Sequence, residues 1–453
     1  MTGRNPLWLS FYGDDLTGST DALEQLSLAG VNTMLFLEPP TPAQLRALPG
    51  LQACGVAGLT RSLAPGPLAK TLRAALLGLR ALGAQHVHYK ICSTFDSSPT
   101  IGNLGRVLDV AAEIFPAKFV PLLVAAPGLG RYTVFGNHFA RFGIGSTGEI
   151  HRLDRHPAIS RHPVTPMKEA DLRRHLARQT RRRVALFDIL QLSLPLNECR
   201  ASFDKMLATQ PDVILFDALA AEHLPRIGGL IDRFGNTKNP LFSIGSSGIE
   251  AALCGHWQKT GRLSARPPSR RPARAADQVL IGSGSCSPVT SAQIAWALKN
   301  GFAEVALNAV ALASPGTAER EQQRAIKQAA ALLQAGRSVI VHTTRRGLNE
   351  KIQKSLQSQT AEILGTALGQ ILLGALRAQP CRLCLAGGDT ASFAARALNI
   401  TALSLITPLT PGAPLCRAHT PEAPVDGLEM VLKGGQVGAE NFFGIVKSGN
   451  KIL

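Results

Sequence analysis

A chain of 453 residues is too long for one hydrophobic core and predicts two domains of roughly 200 residues each. Its formal charge of +17 favours anionic partners, yet three tyrosines and three tryptophans give too few aromatics for a single-strand stacking platform, which leaves small anions rather than nucleic acid. The eight cysteines are widely spaced in apolar runs and read as reduced, buried thiols; Cys381 and Cys384 form a CxxC pair with no second pair or nearby histidine to complete a zinc centre. With no signal-peptide pattern and no apolar run of about 18 residues, a cytoplasmic protein without a membrane segment is expected.

From residue 7 onward, short β-prone runs alternate with helical ones. Strands are predicted near residues 7–11, 31–37, 52–59, 86–91 and 119–125, with helices near 19–28, 67–82 and 101–114. This alternation predicts a parallel sheet covered by helices, with functional loops at the strand ends. The first strand runs into Gly13, Asp14, Asp15, Leu16, Thr17 and Gly18, which sets two adjacent carboxylates at the carboxyl edge of the sheet. The stretch reads either as a helix cap at Asp15 or Thr17 or as part of a ligand site, and one cap needs only one acid.

Three later strand ends carry polar clusters. Arg61 lies at the first, Lys90 with Ser93, Thr94 and Asp96 at the second, and Arg131 after a Pro-Gly turn at the third. Singly each cation reads as a solvated surface charge; together they could hold a carboxylate, Arg by its fork and Lys as a point charge. Residues 132–166 are expected to be irregular, with His138, His151, His156 and His162 packed as polar loop residues because no ligand spacing links them. Thr165 and Pro166 are expected to open a helix reaching about residue 180. Strands near 212–216 and 240–244 follow, the second entering a Gly-Ser-Ser-Gly turn and a helix over 249–257.

The stretch from Ser264 to Asp277 is rich in Pro and Arg and predicts a linker, dividing the chain into residues 1–264, a linker over 265–276, and residues 277–453. In the second half, a strand at 278–281 enters Gly282, Ser283, Gly284, Ser285 and, after Cys286, Ser287, ahead of a helix over 292–298. Strands near 302–307 and 338–342 and helices over 319–333 and 349–376 come next. A strand at 382–386 then enters Gly387, Gly388, Asp389 and Thr390 before a helix over 393–398. Small residues at a helix start let backbone N–H groups approach phosphates, and Asp389 could hold Mg²⁺ or simply cap the helix. Turns at Gly412 and at Gly434, Gly435 and Gly438 could close over a nucleotide or serve only as bends. None of these is a P-loop or a GxGxxG fingerprint, which counts against a dehydrogenase.

Taken in order, GDDLTGSTD at 13–21, YKICSTFDSS at 89–98, PGLGRYTVFGNHFA at 127–140, HPVTPM at 162–167, IGSSG at 244–248, GSGSCSPVT at 282–290, LAGGDTA at 385–391 and LKGGQVG at 432–438 resemble the four-carbon acid sugar kinase family over nearly the whole chain. The resemblance implies two α/β domains, each a mostly parallel sheet flanked by helices, with the active site in the interdomain cleft. It implies ATP-dependent phosphorylation of a terminal hydroxyl of a small sugar acid with Mg²⁺. By it, Asp14, Asp15, Thr17 and Gly18 lie beside the substrate hydroxyls and Arg61, Lys90 and Arg131 hold the carboxylate, with Ser93 and Asp96 as further substrate contacts; on the chemistry of phosphoryl transfer Asp14 or Asp15 could orient or deprotonate the attacking hydroxyl, Asp15 being the favoured base. The turns at 282–287, 387–390, 412 and 434–438 bind the nucleotide, with Asp389 at the metal. Cys92 to Asp96 replaces the family's Asp-Ser-Thr-Leu-Arg, which is more similar to the 3-oxo-tetronate kinase-like branch, and a branched acid such as 3-oxo-isoapionate also fits. A homodimer is expected for an enzyme of this size. The rival expectations are a non-catalytic two-lobed sugar-acid sensor and a dehydrogenase.

Overall fold

The computed structural model describes residues 6–142, 148–162, 164–266, 272–285, 287–343, 359–421 and 424–449. The expected linker over 265–276 lies partly outside them, as do Cys286, part of the segment expected to be irregular over 132–166 and the first part of the helix expected over 349–376. The chain forms two compact units, one of Met1–Asp14 and Ala22–Pro268, the other of Asp15–Asp21 and Ser269–Leu453.

The first unit is built on eight parallel strands: β1 (Leu9–Gly13), β2 (Thr33–Phe36), β3 (Ala53–Ala57), β4 (His86–Lys90), β5 (Val120–Leu123), β9 (Val184–Phe187), β10 (Val213–Phe216) and β11 (Leu241–Gly245). They lie in the order β2-β3-β1-β4-β11-β5-β10-β9. Most of them, β1, β3, β4 and β11 included, are buried along their whole length, as strands covered on both faces by helices must be. The helix Pro65–Ala81 starts on two prolines and buries Leu68, Leu72, Leu76 and Leu79. The helix Leu104–Ile114 is capped by Asn103, whose Oδ1 accepts from Arg106 N at 2.7 Å. Gly13 pairs with Ala57 and Lys90, and Gly245 with Lys90, so β3, β1, β4 and β11 end level with one another. Their following loops therefore leave from one edge.

The sequence expectation fails in the middle of this unit. Within the segment expected to be irregular, the described residues form an antiparallel sheet of β6 (Arg131–Val134), β7 (Asn137–Arg141) and β8 (Ile150–Arg152). The turn between β6 and β7 puts Phe135 at φ +48° and Gly136 at φ +78°, the two positive values a tight hairpin requires. Phenylalanine resists that conformation. The Asp217 carboxylate holds it by accepting from Phe135 N at 2.5 Å and Gly136 N at 3.0 Å. The helix expected to open at Thr165 is also displaced: Thr165 bonds His162, and the helix is the short Leu172–Ala177, capped by Asp171.

The second unit has β12 (Val279–Ser283), β13 (Ala303–Ala306), β14 (Val339–His342), β15 (Arg382–Ala386), β16 (Ala402–Thr410), β17 (Ala413–His419) and β18 (Glu429–Lys433), in the order β13-β14-β12-β15-β18-β17-β16. It is parallel from β13 to β18 and antiparallel from β18 to β16. Gly412, at φ +77°, makes the bend between β16 and β17. The helix Gln359–Ala378 contains a stretch, Ala361–Ala378, long and apolar enough to cross a membrane by length and composition, contrary to the sequence expectation. Half of that stretch is buried, Ile371, Leu372, Ala375 and Leu376 completely, as befits a core helix.

Two buried histidines of the first unit make its stability sensitive to acid. His138 Nε2 donates to Ser93 O at 2.9 Å, so its Nδ1 accepts from the Thr133 hydroxyl at 2.8 Å and the ring is neutral. Burial lowers it to about 4, and burial with nearby Lys90 lowers His88 to about 3. A histidine whose folded pKa lies below the unfolded value contributes stability that is complete above about pH 6.5 and is lost as pH falls toward the folded value. Urea unfolding followed from pH 7 to 4.5 should show stability falling by about 1.4 kcal/mol per pH unit per histidine. A flat profile would count against both assignments.

Candidate active site

At the level edge of the first unit, Asp14 N donates to Lys90 O at 2.9 Å, and Arg61 N donates to Asp14 O at 3.1 Å. These bonds bring the ends of β1, β3 and β4 together. Arg61 then forks onto the Asp14 carboxylate, Nη2 to Oδ1 at 2.6 Å and Nε to Oδ2 at 3.1 Å, with the Asp14 side chain only 4% exposed. Arg61 thus has an internal carboxylate partner, which sequence reasoning did not foresee. Beneath the pair, Thr60 Oγ1 lies 2.8 Å from the Tyr89 hydroxyl, and burial together with the Asp14 charge holds that phenol well above its usual range.

Lys90 is buried and donates to Ile91 O at 3.1 Å. In the loop after it, Thr94 Oγ1 donates to Asp96 Oδ1 at 2.8 Å, while burial, reinforced by Asp96, pushes the Cys92 thiol up to about 11. Ser93 is buried, its carbonyl held by His138. Phe95, wholly buried, sits at φ +58°, a strained conformation of the kind that gathers at ligand sites. Arg131 is buried as well, its Nη1 donating to the carbonyls of Leu129, Gly130 and Arg141; its Nε is buried without a hydrogen-bond partner. Burial lowers this guanidinium below its ordinary value. Arg61 and Arg131 therefore differ: Arg61 is forked to an acid, and Arg131 donates to backbone carbonyls.

Asp15 takes up the capping role. Its Oδ1 accepts from Gly18 N at 2.8 Å, at the third position of the helix Leu16–Leu28, and its Oδ2 accepts from Thr17 Oγ1 at 2.7 Å. Asp15, Thr17 and Gly18 belong by packing to the second unit, although Asp14 belongs to the first.

In the second unit, Ser283 is level with Ala386 and Ala386 with Lys433, so the turns after β12, β15 and β18 leave adjacent strands at one edge. Gly284 N donates to Ala386 O at 3.2 Å and Gly387 N to Lys433 O at 3.0 Å. A Cβ on Gly284 would stand 2.2 Å from Thr390, so only glycine permits that approach; Gly387 lies at φ +142°, open to glycine alone. Gly388, not Asp389 or Thr390, is the first residue before the helix Asp389–Ala397, and no side chain caps it. Ser287 caps the helix Pro288–Lys299 by accepting from Val289 N at 3.2 Å. Ser285 sits within this cluster, and the Ser283 hydroxyl is buried beneath it without a hydrogen-bond partner.

Three turns of small residues, one helix start without a side-chain cap and a buried hydroxyl without a partner suit the phosphates of a nucleotide. Asp389 is half-buried at the same edge. Among the described residues no three His, Cys, Asp or Glu side chains form a metal-binding group; Asp389 could hold Mg²⁺ together with phosphate oxygens, an arrangement ordinary for this ion. Gly412 is the exception among the expected nucleotide residues, since it lies in the β16–β17 bend rather than in the turns after β12, β15 and β18. Sequence reasoning missed Lys433, Thr290 and Gln293, which support the last turn; a lysine just before paired glycines was the one available signal.

Residues 9–253 match a family model described as a sugar-binding N-terminal domain, and residues 280–443 match one described as a nucleotide-binding C-terminal domain. The chain is 41% identical to a 3-oxo-isoapionate kinase of Paraburkholderia graminis, with 98% of this chain and 94% of that protein covered. It is 30% identical to a 3-oxo-tetronate kinase of Methylobacterium radiotolerans, with 97% and 98% covered. A crystal structure from Salmonella typhimurium LT2 shares the fold, with a TM-score of 0.76 at 24% identity over 98% of this chain and 99% of that one. A sugar-binding domain followed by a nucleotide-binding domain defines a two-domain kinase. The chain belongs to the four-carbon acid sugar kinase family and is an enzyme, which replaces both rival expectations.

Proposed function

We propose that this enzyme transfers the γ-phosphoryl group of ATP to a terminal hydroxyl of a small 3-oxo sugar acid, 3-oxo-isoapionate first and 3-oxo-tetronate second. The observation that carries the nucleotide half is the meeting of the three small-residue turns at one sheet edge. The order of substrates follows the 41% and 30% identities to the kinases named for them.

In this reading Arg61, Lys90 and Arg131 supply the positive field for the carboxylate of the sugar acid. Ser93, Asp96, Thr17 and Gly18 complete its contacts. Asp15 accepts the proton of the attacking hydroxyl as the new O–P bond forms and the bond to the β-phosphate breaks, releasing ADP. Asp14, forked to Arg61, is the less available of the two acids. Mg²⁺, when bound, neutralises charge on the phosphate oxygens. A homodimer in the cytoplasm, with no membrane or nucleic-acid partner, completes the reading.

The test is ADP release measured with Mg·ATP and a panel of 3-oxo-isoapionate, 3-oxo-tetronate, threonate and erythronate. Highest kcat/KM on 3-oxo-isoapionate is expected. Turnover on none of the four would sink the assignment, and a clear preference for a tetronate would reverse the order.

A further inference from the structure

Lys433 ends β18 directly before Gly434 and Gly435, and its side chain is wholly buried. Among the described residues no carboxylate pairs with it. A buried ammonium without a counter-ion is costly, so its retention at this place asks for a reason. Its Nζ donates to Thr290 Oγ1 at 3.0 Å, which commits the Thr290 hydroxyl hydrogen to Gly435 O, also 3.0 Å away. One helical turn on, Gln293 Nε2 lies 3.0 Å from the carbonyls of Val437, Gly438 and Ala439. The helix Pro288–Lys299 thus grips the whole turn from below, and a Cβ on Gly435 would stand 2.8 Å from Ser285 Oγ on the neighbouring turn.

We propose that Lys433 is a positioning residue of the nucleotide half-site: through Thr290 it fixes the 434–438 turn in the form that receives a nucleoside polyphosphate, whose negative charge is the counter-ion the buried ammonium lacks. This rests on the assignment of the nucleotide to the second unit. The groups facing Lys433 are Cys384 of β15, Thr290, and the ring of Phe442, whose centroid is 5.6 Å from Nζ. None adds a formal charge, since burial pushes the Cys384 thiol up to about 12. Burial lowers Lys433 itself to about 8. The protonated amine is the form that attracts phosphate, so nucleotide affinity falls as pH rises through that value.

Calorimetric titration of the full-length protein with Mg·ADP at pH 7 and pH 9 tests this. The wild type should bind roughly tenfold more weakly at pH 9. Lys433→Met should bind roughly tenfold or more weakly at pH 7 and show little further change at pH 9, with KM for the sugar acid unmoved. Thr290→Ser should keep the wild-type affinity and Thr290→Val should lose several-fold of it. Wild-type affinity in Lys433→Met, or a weakened variant that keeps the wild-type pH slope, overturns the proposal. Should Lys433→Met fail to fold, equal ADP affinity in Thr290→Val and Thr290→Ser overturns it instead. Absence of ADP binding by the wild type at either pH would defeat the nucleotide assignment itself, and this inference with it.

Discussion

Asp15→Asn is expected to lower kcat by about a hundredfold or more, the range over which a positioned general base contributes. The substitution separates two roles that the structure gives to one side chain. Asparagine is as good an N-cap as aspartate, and its Oδ1 can still accept from Gly18 N, so the helix Leu16–Leu28 should keep its start. What disappears is the negative charge that takes up the proton of the acceptor hydroxyl. The expected result is a collapse of kcat at unchanged thermal midpoint, read by steady-state assay and calorimetric melting. If turnover persists and only KM rises, Asp15 is a cap and a contact, and the base lies elsewhere. Asp15→Ala, which removes cap and charge together, should add a stability loss of about 1 kcal/mol.

Arg61→Met is expected to affect both stability and substrate affinity. The guanidinium makes two charge-assisted bonds to a carboxylate whose side chain is 4% exposed, and removing it strips that carboxylate of a matched partner. Breaking a largely buried pair costs about 2–3 kcal/mol after discounting for the quarter of the Arg61 side chain that faces solvent. For a unit of this size the thermal midpoint should fall by roughly 5–10 °C. If Arg61 also serves the substrate carboxylate, KM for the sugar acid rises at least tenfold, while KM for ATP stays put. Arg61→Lys should recover part of the stability but little of the KM, because an ammonium keeps the charge and loses the fork. A midpoint and KM both within error of wild type would remove Arg61 from the site.

Much of this architecture is legible in the sequence because strand-to-helix transitions carry strong local signals. Every strand predicted in the second half appears, and the turns after β12, β15 and β18 are readable as small residues between an apolar run and an amphipathic one. The central part of the first unit is not legible in the same way. The β6–β7 hairpin turns on Phe135, a residue no turn rule selects, held by Asp217 some eighty positions away. The strand Val184–Phe187 and the helices Leu196–Ala208 and His223–Asp232 carry no prediction at all, although the last buries Leu224, Ile227, Leu230 and Ile231 at helical spacing. The helix start at Asp171 rather than Thr165 shows how a cap residue can be spent on a local histidine instead.

What the sequence by itself determined is the set of chemistry-bearing turns, their order, and the charge types they carry, since each is a property of a few consecutive residues. Only the tertiary structure decided what those residues do to one another. It joined Arg61 to Asp14, gave Asp15 the helix start, separated Gly412 from the other glycine turns, and buried Lys433 beside Thr290. The physical reason is range. A turn or cap is set by hydrogen bonds spanning a few residues, whereas an ion pair across 47 positions or a lysine–threonine bond across 143 exists only once parallel strands end level and bring their loops to one edge.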